Sequence, residues 1–181
     1  DGELAREKNT PSHTGRYLDS VSDILLNLLI LITICYVTEG SIWLTLLAFI
    51  GIQLQGTLYN YYYVILRNKH QGDTTSRVFE TATPKALKGE SQRNVNILFS
   101  LYTVLYGVFD RIIYTLDGKA ADGNHLPGWL MTAVSTFGLG FQLLLIGSML
   151  VLGLDQYIIP FFIGYSAFIL VFIGIRRIIN R

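Results

Sequence analysis

The sequence has a single cysteine and almost no surplus of either charge. Cys35 lies inside an apolar block, so no intrachain disulfide can form, and a small buried hydrophobe is the role it suits best. Fourteen Lys and Arg are set against thirteen Asp and Glu, for a formal net charge of +1 and an isoelectric point near 8.0. The basic residues are scattered and lack the aromatic interleaving of a single-strand nucleic-acid groove, which excludes that class of partner. There is no internal repeat and no low-complexity tract. No signal-peptide pattern precedes the first apolar block.

Charge is scarce because apolar residues occupy most of the length. Hydrophobic residues make up 51% of the chain and the mean hydropathy is +0.42. They fall into five blocks: Ile24 to Val37, Ile42 to Leu66, Val95 to Leu116, Trp129 to Leu154 and Tyr157 to Ile175. A bilayer crossing needs about 20 mostly apolar residues. The expected fold is therefore all-α, an integral-membrane bundle of about five helices forming one domain over residues 1–181. Thr38-Glu39-Gly40-Ser41 is a turn cluster and predicts a tight hairpin between the first two helices.

Polar residues 68–93 carry Lys69, Arg77, Lys85, Lys88 and Arg93, and the segment before the first block carries Arg6, Lys8 and Arg16. Short loops rich in Lys and Arg stay in the cytoplasm, so the first hairpin is expected to start and finish there. The Val95 to Leu116 block is interrupted by Asp110 and Arg111. If it crosses, Arg176, Arg177 and Arg181 end outside, against the charge rule; if it lies in the interface or dips and returns, they end inside. Pro127-Gly128 opens the next helix, and Asp155-Gln156 separates the last two blocks.

The chemistry is concentrated in Asp1 to Asp23. Residues four apart share a helix face, so Gly15, Asp19 and Asp23 fall in one row with the carboxylates one turn apart. An aspartate at the centre of a membrane helix costs roughly 2.5–3.5 kcal/mol, less near its ends. Three accounts compete for the pair. Both can be solvated at a helix start, where the macrodipole favours acids. They can pair with Arg6 or Arg16. They can also hold a divalent cation, since hard cations seek carboxylate oxygens. The neighbours favour the last account. Gly2, Ala5 and Gly15 leave room for helix packing or for a bulky ligand, and Arg6 offers a forked cation suited to phosphate. Together these groups suit phosphoryl transfer.

As they stand in this chain, Asp1, Gly2, Ala5, Arg6, Gly15, Asp19 and Asp23 have the pattern DG-xx-AR-x8-G-xxx-D-xxx-D. It resembles the signature of the CDP-alcohol phosphotransferase family, also called CDP-alcohol phosphatidyltransferases, at every fixed position present. The resemblance implies a two-metal site for Mg²⁺ or Mn²⁺, with Asp1, Asp19 and Asp23 among the ligands and Asp23 also the general base. It implies that Gly2, Ala5, Arg6 and Gly15 hold the CDP portion. The family pattern has one further aspartate three residues before the DG. The chain is accordingly expected to continue upstream, with that aspartate and further apolar helices, and the 181-residue piece alone is expected to be inactive.

The expected activity is transfer of a phospho-alcohol group, first of all phosphatidyl from CDP-diacylglycerol, to an acceptor alcohol with release of CMP in phospholipid synthesis. The alternatives are a CDP-choline- or CDP-ethanolamine-type transfer to diacylglycerol, and a non-catalytic membrane scaffold or transporter. The bilayer is an expected partner, nucleic acid is not, and the family often pairs, which makes a homodimer one expected assembly. The expected location of the site is the cytoplasmic face.

A second polar feature stands apart from the resemblance. Gln53, Gly56, Asn60, Tyr63 and Arg67 recur at helical spacing on an otherwise apolar helix. Polar residues in membrane helices face a bundle interior or a wet cavity. Hydrogen bonding between helices and an acceptor pocket containing Asn60 and Arg67 both account for the stripe. Tyr59, Tyr61, Tyr62 and Tyr63 fit an interfacial aromatic belt. His13, His70 and His125 have no metal-ligand spacing and are expected to be solvated.

Overall fold

A computed structural model describes residues 12–69, 82–122 and 126–180. The expected site residues Asp1, Gly2, Ala5 and Arg6 lie outside the described residues, as do His70 and His125. Among the described residues the helices are α1 (His13–Val37), α2 (Ile42–Lys69), α3 (Gln92–Asp117), α4 (Gly128–Val134), α5 (Leu139–Val151), α6 (Asp155–Tyr165) and α7 (Phe168–Ile179), with 3-10 turns at Gly118–Asp122 and Ser135–Phe137. The described residues contain no strand, and the fold is all-α as expected.

The α1–α2 hairpin turns where its polar cluster predicts. The Glu39 and Gly40 amides reach back to the Tyr36 and Cys35 carbonyls, and Glu39 takes φ +50°. This is a Schellman-type stop, in which the left-handed residue is usually glycine. Gly153 fills that position at the end of α5, where the Leu154 amide reaches the Met149 carbonyl.

Among the described residues, four helical stretches are long and apolar enough to cross a membrane: His13–Val37, Ile42–Arg67, Gln92–Ala121 and Asp155–Ile179. The Trp129 to Leu154 block is not one straight helix. It divides into Gly128–Phe137 and Leu139–Val151, bent by 53° and counting as a fifth span if taken together. The bend falls at Gly138, which sits against the Tyr59 ring with an extended backbone.

Two apolar clusters mark the two ends of the bundle. Leu31, Ile34 and Cys35 of α1 meet Ala48 and Ile52 of α2, Ile146 of α5 and Ile158, Ile159 and Phe162 of α6. Toward the other end, Leu58, Tyr61, Tyr62 and Ile65 of α2 pack with Ile113 of α3, Leu130, Val134 and Phe137, and Ile169 and Ile173 of α7. Between them Gly51 lets α2 approach α6, because an added Cβ would lie 2.2 Å from the Ser166 hydroxyl. Gln55 donates to Ser166 at 3.0 Å, and Gln142 donates to Gln55 at 3.0 Å. These amides satisfy one another where a bilayer offers no water.

Both ends of α3 are fastened at the same end of the bundle. Just before it, Glu90 accepts from the Ser12 hydroxyl and the Thr14 amide, each at 2.7 Å. At its last residue, Asp117 accepts from the Tyr62 hydroxyl at 2.6 Å, within two turns of Arg67. Buried Arg176 of α7 forms an ion pair with the same carboxylate, and Arg177 Nε lies 3.6 Å from it. Although Gln92–Ala121 is long enough to cross, no residue of α3 joins the apolar cluster at the hairpin-turn end. Arg176 and Arg177 therefore sit at the end of the bundle that also holds Ser12 and Arg67.

Candidate functional site

The first turns of α1 carry the described candidate residues Gly15, Asp19 and Asp23. Ser12 caps the helix by accepting from the Gly15 amide at 2.8 Å. Glu90 comes in from the α2–α3 connection and takes the Thr14 amide, so a carboxylate occupies the positive end of the helix. Burial raises the Glu90 carboxyl, but hydrogen bonds from the Thr14 amide, the Ser12 hydroxyl and the Leu87 amide outweigh it and hold the group at about 2. Gly15 is exposed, and a Cβ there would meet the Ser12 hydroxyl at 3.2 Å.

Tyr17 turns inward and is 1% exposed. It packs against Phe99 and Tyr102 of α3 at 5.6 and 5.3 Å, and the Arg16 guanidinium lies 4.6 Å from its ring centre. His13 was expected in solvent, but the structure buries it against Tyr17, since the helix begins at His13 and turns this residue onto its packed stripe. One turn further in, the Tyr106 hydroxyl donates to the Ser20 carbonyl at 2.9 Å. That bond ties α3 to the turn of α1 between the two aspartates.

Asp19 is exposed and Asp23 half-buried, in the row read from their spacing. Neither makes a hydrogen bond or ion pair with any described residue. Solvation suffices for Asp19 at the surface. Half-burial of Asp23 beside a like charge calls for something more. Tyr106 lies in the field of Asp23, Asp110 and Asp19, and the Tyr102 hydroxyl donates to Asp110 at 3.4 Å. Asp110 thus comes near the site from α3, which sequence reasoning missed. The signal was the Tyr102, Tyr106, Asp110 spacing of one helix face.

Among the described residues no three His, Cys, Asp or Glu converge on one coordination sphere. Asp19 and Asp23 still fit as part of a hard-cation shell, because they are acceptor-only oxygens with no protein partner among the described residues. Asn60 is exposed on α2, and the half-buried Arg67 guanidinium lies 5.3 Å from the Tyr63 ring centre. Gln53, in the same stripe, is buried.

The described helices form a bundle with membrane-length spans that presents Asp19 and Asp23 at one end. A model of the CDP-alcohol phosphatidyltransferase family matches residues 1–108, which include Gly15, Asp19 and Asp23 together with α2 and most of α3. The chain belongs to that family, whose members transfer a phospho-alcohol from a CDP-alcohol to an acceptor and generally depend on a divalent metal. No curated protein and no solved structure matches the chain.

Proposed function

We propose that this protein is a Mg²⁺- or Mn²⁺-dependent transferase of phospholipid synthesis that moves a phosphatidyl group from CDP-diacylglycerol to an alcohol and releases CMP. The observation that carries the reading is the unpartnered Asp19–Asp23 pair at the threshold of a membrane helix. The buried carboxylate of Asp117 has its partners, whereas half-buried Asp23, beside the like charge of Asp19, has none among the described residues.

Asp19 and Asp23, with Asp1, would hold the metal, and Gly2, Ala5, Arg6 and Gly15 the cytidine diphosphate. When bound, the metal neutralises phosphate charge and stabilises the leaving group. Asp23 takes the proton of the acceptor hydroxyl as its oxygen attacks the phosphorus nearer the lipid. The bond from that phosphorus to the bridging oxygen breaks, and CMP departs with the electron pair. Tyr106 steadies the turn between the two aspartates through the Ser20 carbonyl. Asn60 and Arg67, toward the same end of α2, would meet the acceptor as it enters.

Arg16, Arg67, Arg176 and Arg177 at one end of the bundle support a cytoplasmic site under the charge rule. The test incubates membranes containing the complete protein with labelled CDP-diacylglycerol and a panel of alcohols. Metal-dependent CMP release with label in a new phospholipid is expected. Release from CDP-choline or CDP-ethanolamine with diacylglycerol instead would reassign donor and acceptor. The absence of any CMP release would make the protein a scaffold or transporter.

A further inference from the structure

Among the described residues, buried polar atoms with no hydrogen-bond partner occur in the first turn of α1, on the ion-paired Arg176, and on three neutral residues further along α1 and α2. Asn27, Gln53 and Thr57 are 6%, 4% and 4% exposed, and Asn27 Oδ1, Gln53 Nε2 and Thr57 Oγ1 have no hydrogen-bond partner among the described residues. Thr33, Thr45, Thr103, Thr115 and Thr132 each donate to the carbonyl one turn back, so the unspent hydroxyl of Thr57 departs from the habit of this chain. A neutral polar group left bare in an apolar medium is unfavourable, and buried examples normally find a partner or a water.

Their places are related. Asn27 is the next residue after Asp23 in the row Gly15, Asp19, Asp23, one helical turn further from the Ser12 end. The antiparallel hairpin puts Gln53, eleven residues after Ile42, level with Asn27, ten residues before Val37. Thr57 is one turn along α2 from Gln53 and level with Asp23. The three atoms comprise one acceptor, one donor and a hydroxyl that does both, and none carries charge. An ammonium needs acceptors alone and a carboxylate needs donors alone. A neutral hydroxyl gives and takes, and so matches the set.

We propose that Asn27, Gln53 and Thr57 form an uncharged hydroxyl-binding step, level with Asp23 and one turn below it, that receives a neutral hydroxyl-bearing part of the acceptor. The inference rests on the transferase reading and specifies its acceptor. The hydroxyl comes either from a water-soluble polyol or from diacylglycerol, and in both cases the charged or bulky remainder lies away from the step.

The experiment uses the purified complete protein in detergent and the variants Asn27→Leu, Gln53→Met and Thr57→Val. Thermal midpoints are measured alone, with glycerol, with short-chain diacylglycerol, and with ethanolamine and serine as charged comparators. Acceptor and donor KM are measured in parallel. Removing bare polar groups is expected to leave the unliganded midpoint unchanged or raised, as buried groups with no partner contribute no stability. Stabilisation by the hydroxyl ligand should disappear, and its KM should rise about fivefold to tenfold while the donor KM holds. A response confined to glycerol identifies a polyol acceptor; one confined to diacylglycerol identifies a lipid acceptor. Lowered midpoints in all three variants with unaltered ligand response would overturn the proposal and return these residues to packing, as would equal stabilisation by the charged comparators. The thermal measurements decide the step even if no CMP is released, so failure of the transferase reading stays distinguishable from failure of the step.

Discussion

Two sets of carboxylates sit at the same end of this bundle and are treated in opposite ways. Asp117 is buried and engaged by Arg176, Arg177 and Tyr62. Asp19 and Asp23 lie on the edge of α1 with no described group to neutralise them. A buried charge is tolerable only when paired, so Asp117 belongs to the scaffold that joins α2, α3 and α7. A carboxylate pair left unpaired next to a membrane span has its capacity free for a cation. The contrast lies in the partners and not in the presence of acids, since all three residues are aspartates in apolar helices.

That contrast makes crossed predictions. The largest effect is expected from Asp23→Asn in the complete protein, which should lower turnover on the order of 10²- to 10⁴-fold while the detergent-solubilised protein keeps its thermal midpoint. Near-normal CMP release in that variant would remove Asp23 from the chemistry. Asp117→Asn should do the reverse. Leaving Arg176 buried and without its counter-charge should destabilise the fold by about 3–5 kcal/mol, read as a fall in the thermal midpoint. Asp117→Leu combined with Arg176→Met should recover most of that loss, because an apolar pair replaces an ionic one. If the double variant is as unstable as the single, the pair does more than neutralise charge.

A smaller effect belongs to Tyr106→Phe, which loses one hydrogen bond to the Ser20 carbonyl, worth about 1 kcal/mol. The smallest is electrostatic and depends on pH. Glu90 is held near 2 in the folded chain against its ordinary 4.5. The stability it adds is therefore present above 4.5 and fades as pH falls toward 2. Protection of the Thr14 and Gly15 amides, taken relative to their intrinsic exchange rates at each pH, should fall over that window. Glu90→Gln should flatten the dependence, and an unchanged acid profile in that variant would place the effect elsewhere.

The fold class was legible because apolar blocks of membrane length leave few alternatives, and the Thr38 to Ser41 hairpin because its turn chemistry is local. The Gly138 bend was not, since apolar residues continue on both sides of it. The placement of α3 depends on Glu90 meeting Ser12 and Asp117 meeting Arg176, partners 78 and 59 residues apart, and helical periodicity carries no such information. The candidate site divides in the same way. The row of Gly15, Asp19 and Asp23 follows from one helix and can be read off its spacing. The approach of Tyr106 and Asp110 from α3 is tertiary, and so is the isolation of Asn27, Gln53 and Thr57, which only burial reveals.

The central claim is that Asp19 and Asp23 are left unpaired in order to hold a divalent cation. Manganese binding to the complete protein, followed by electron paramagnetic resonance alongside thermal unfolding, tests it most directly. Binding and Mn²⁺-dependent stabilisation should be present in the unsubstituted protein and lost in an Asp19→Asn, Asp23→Asn double variant that remains folded. Undiminished manganese binding in that folded variant would contradict the account.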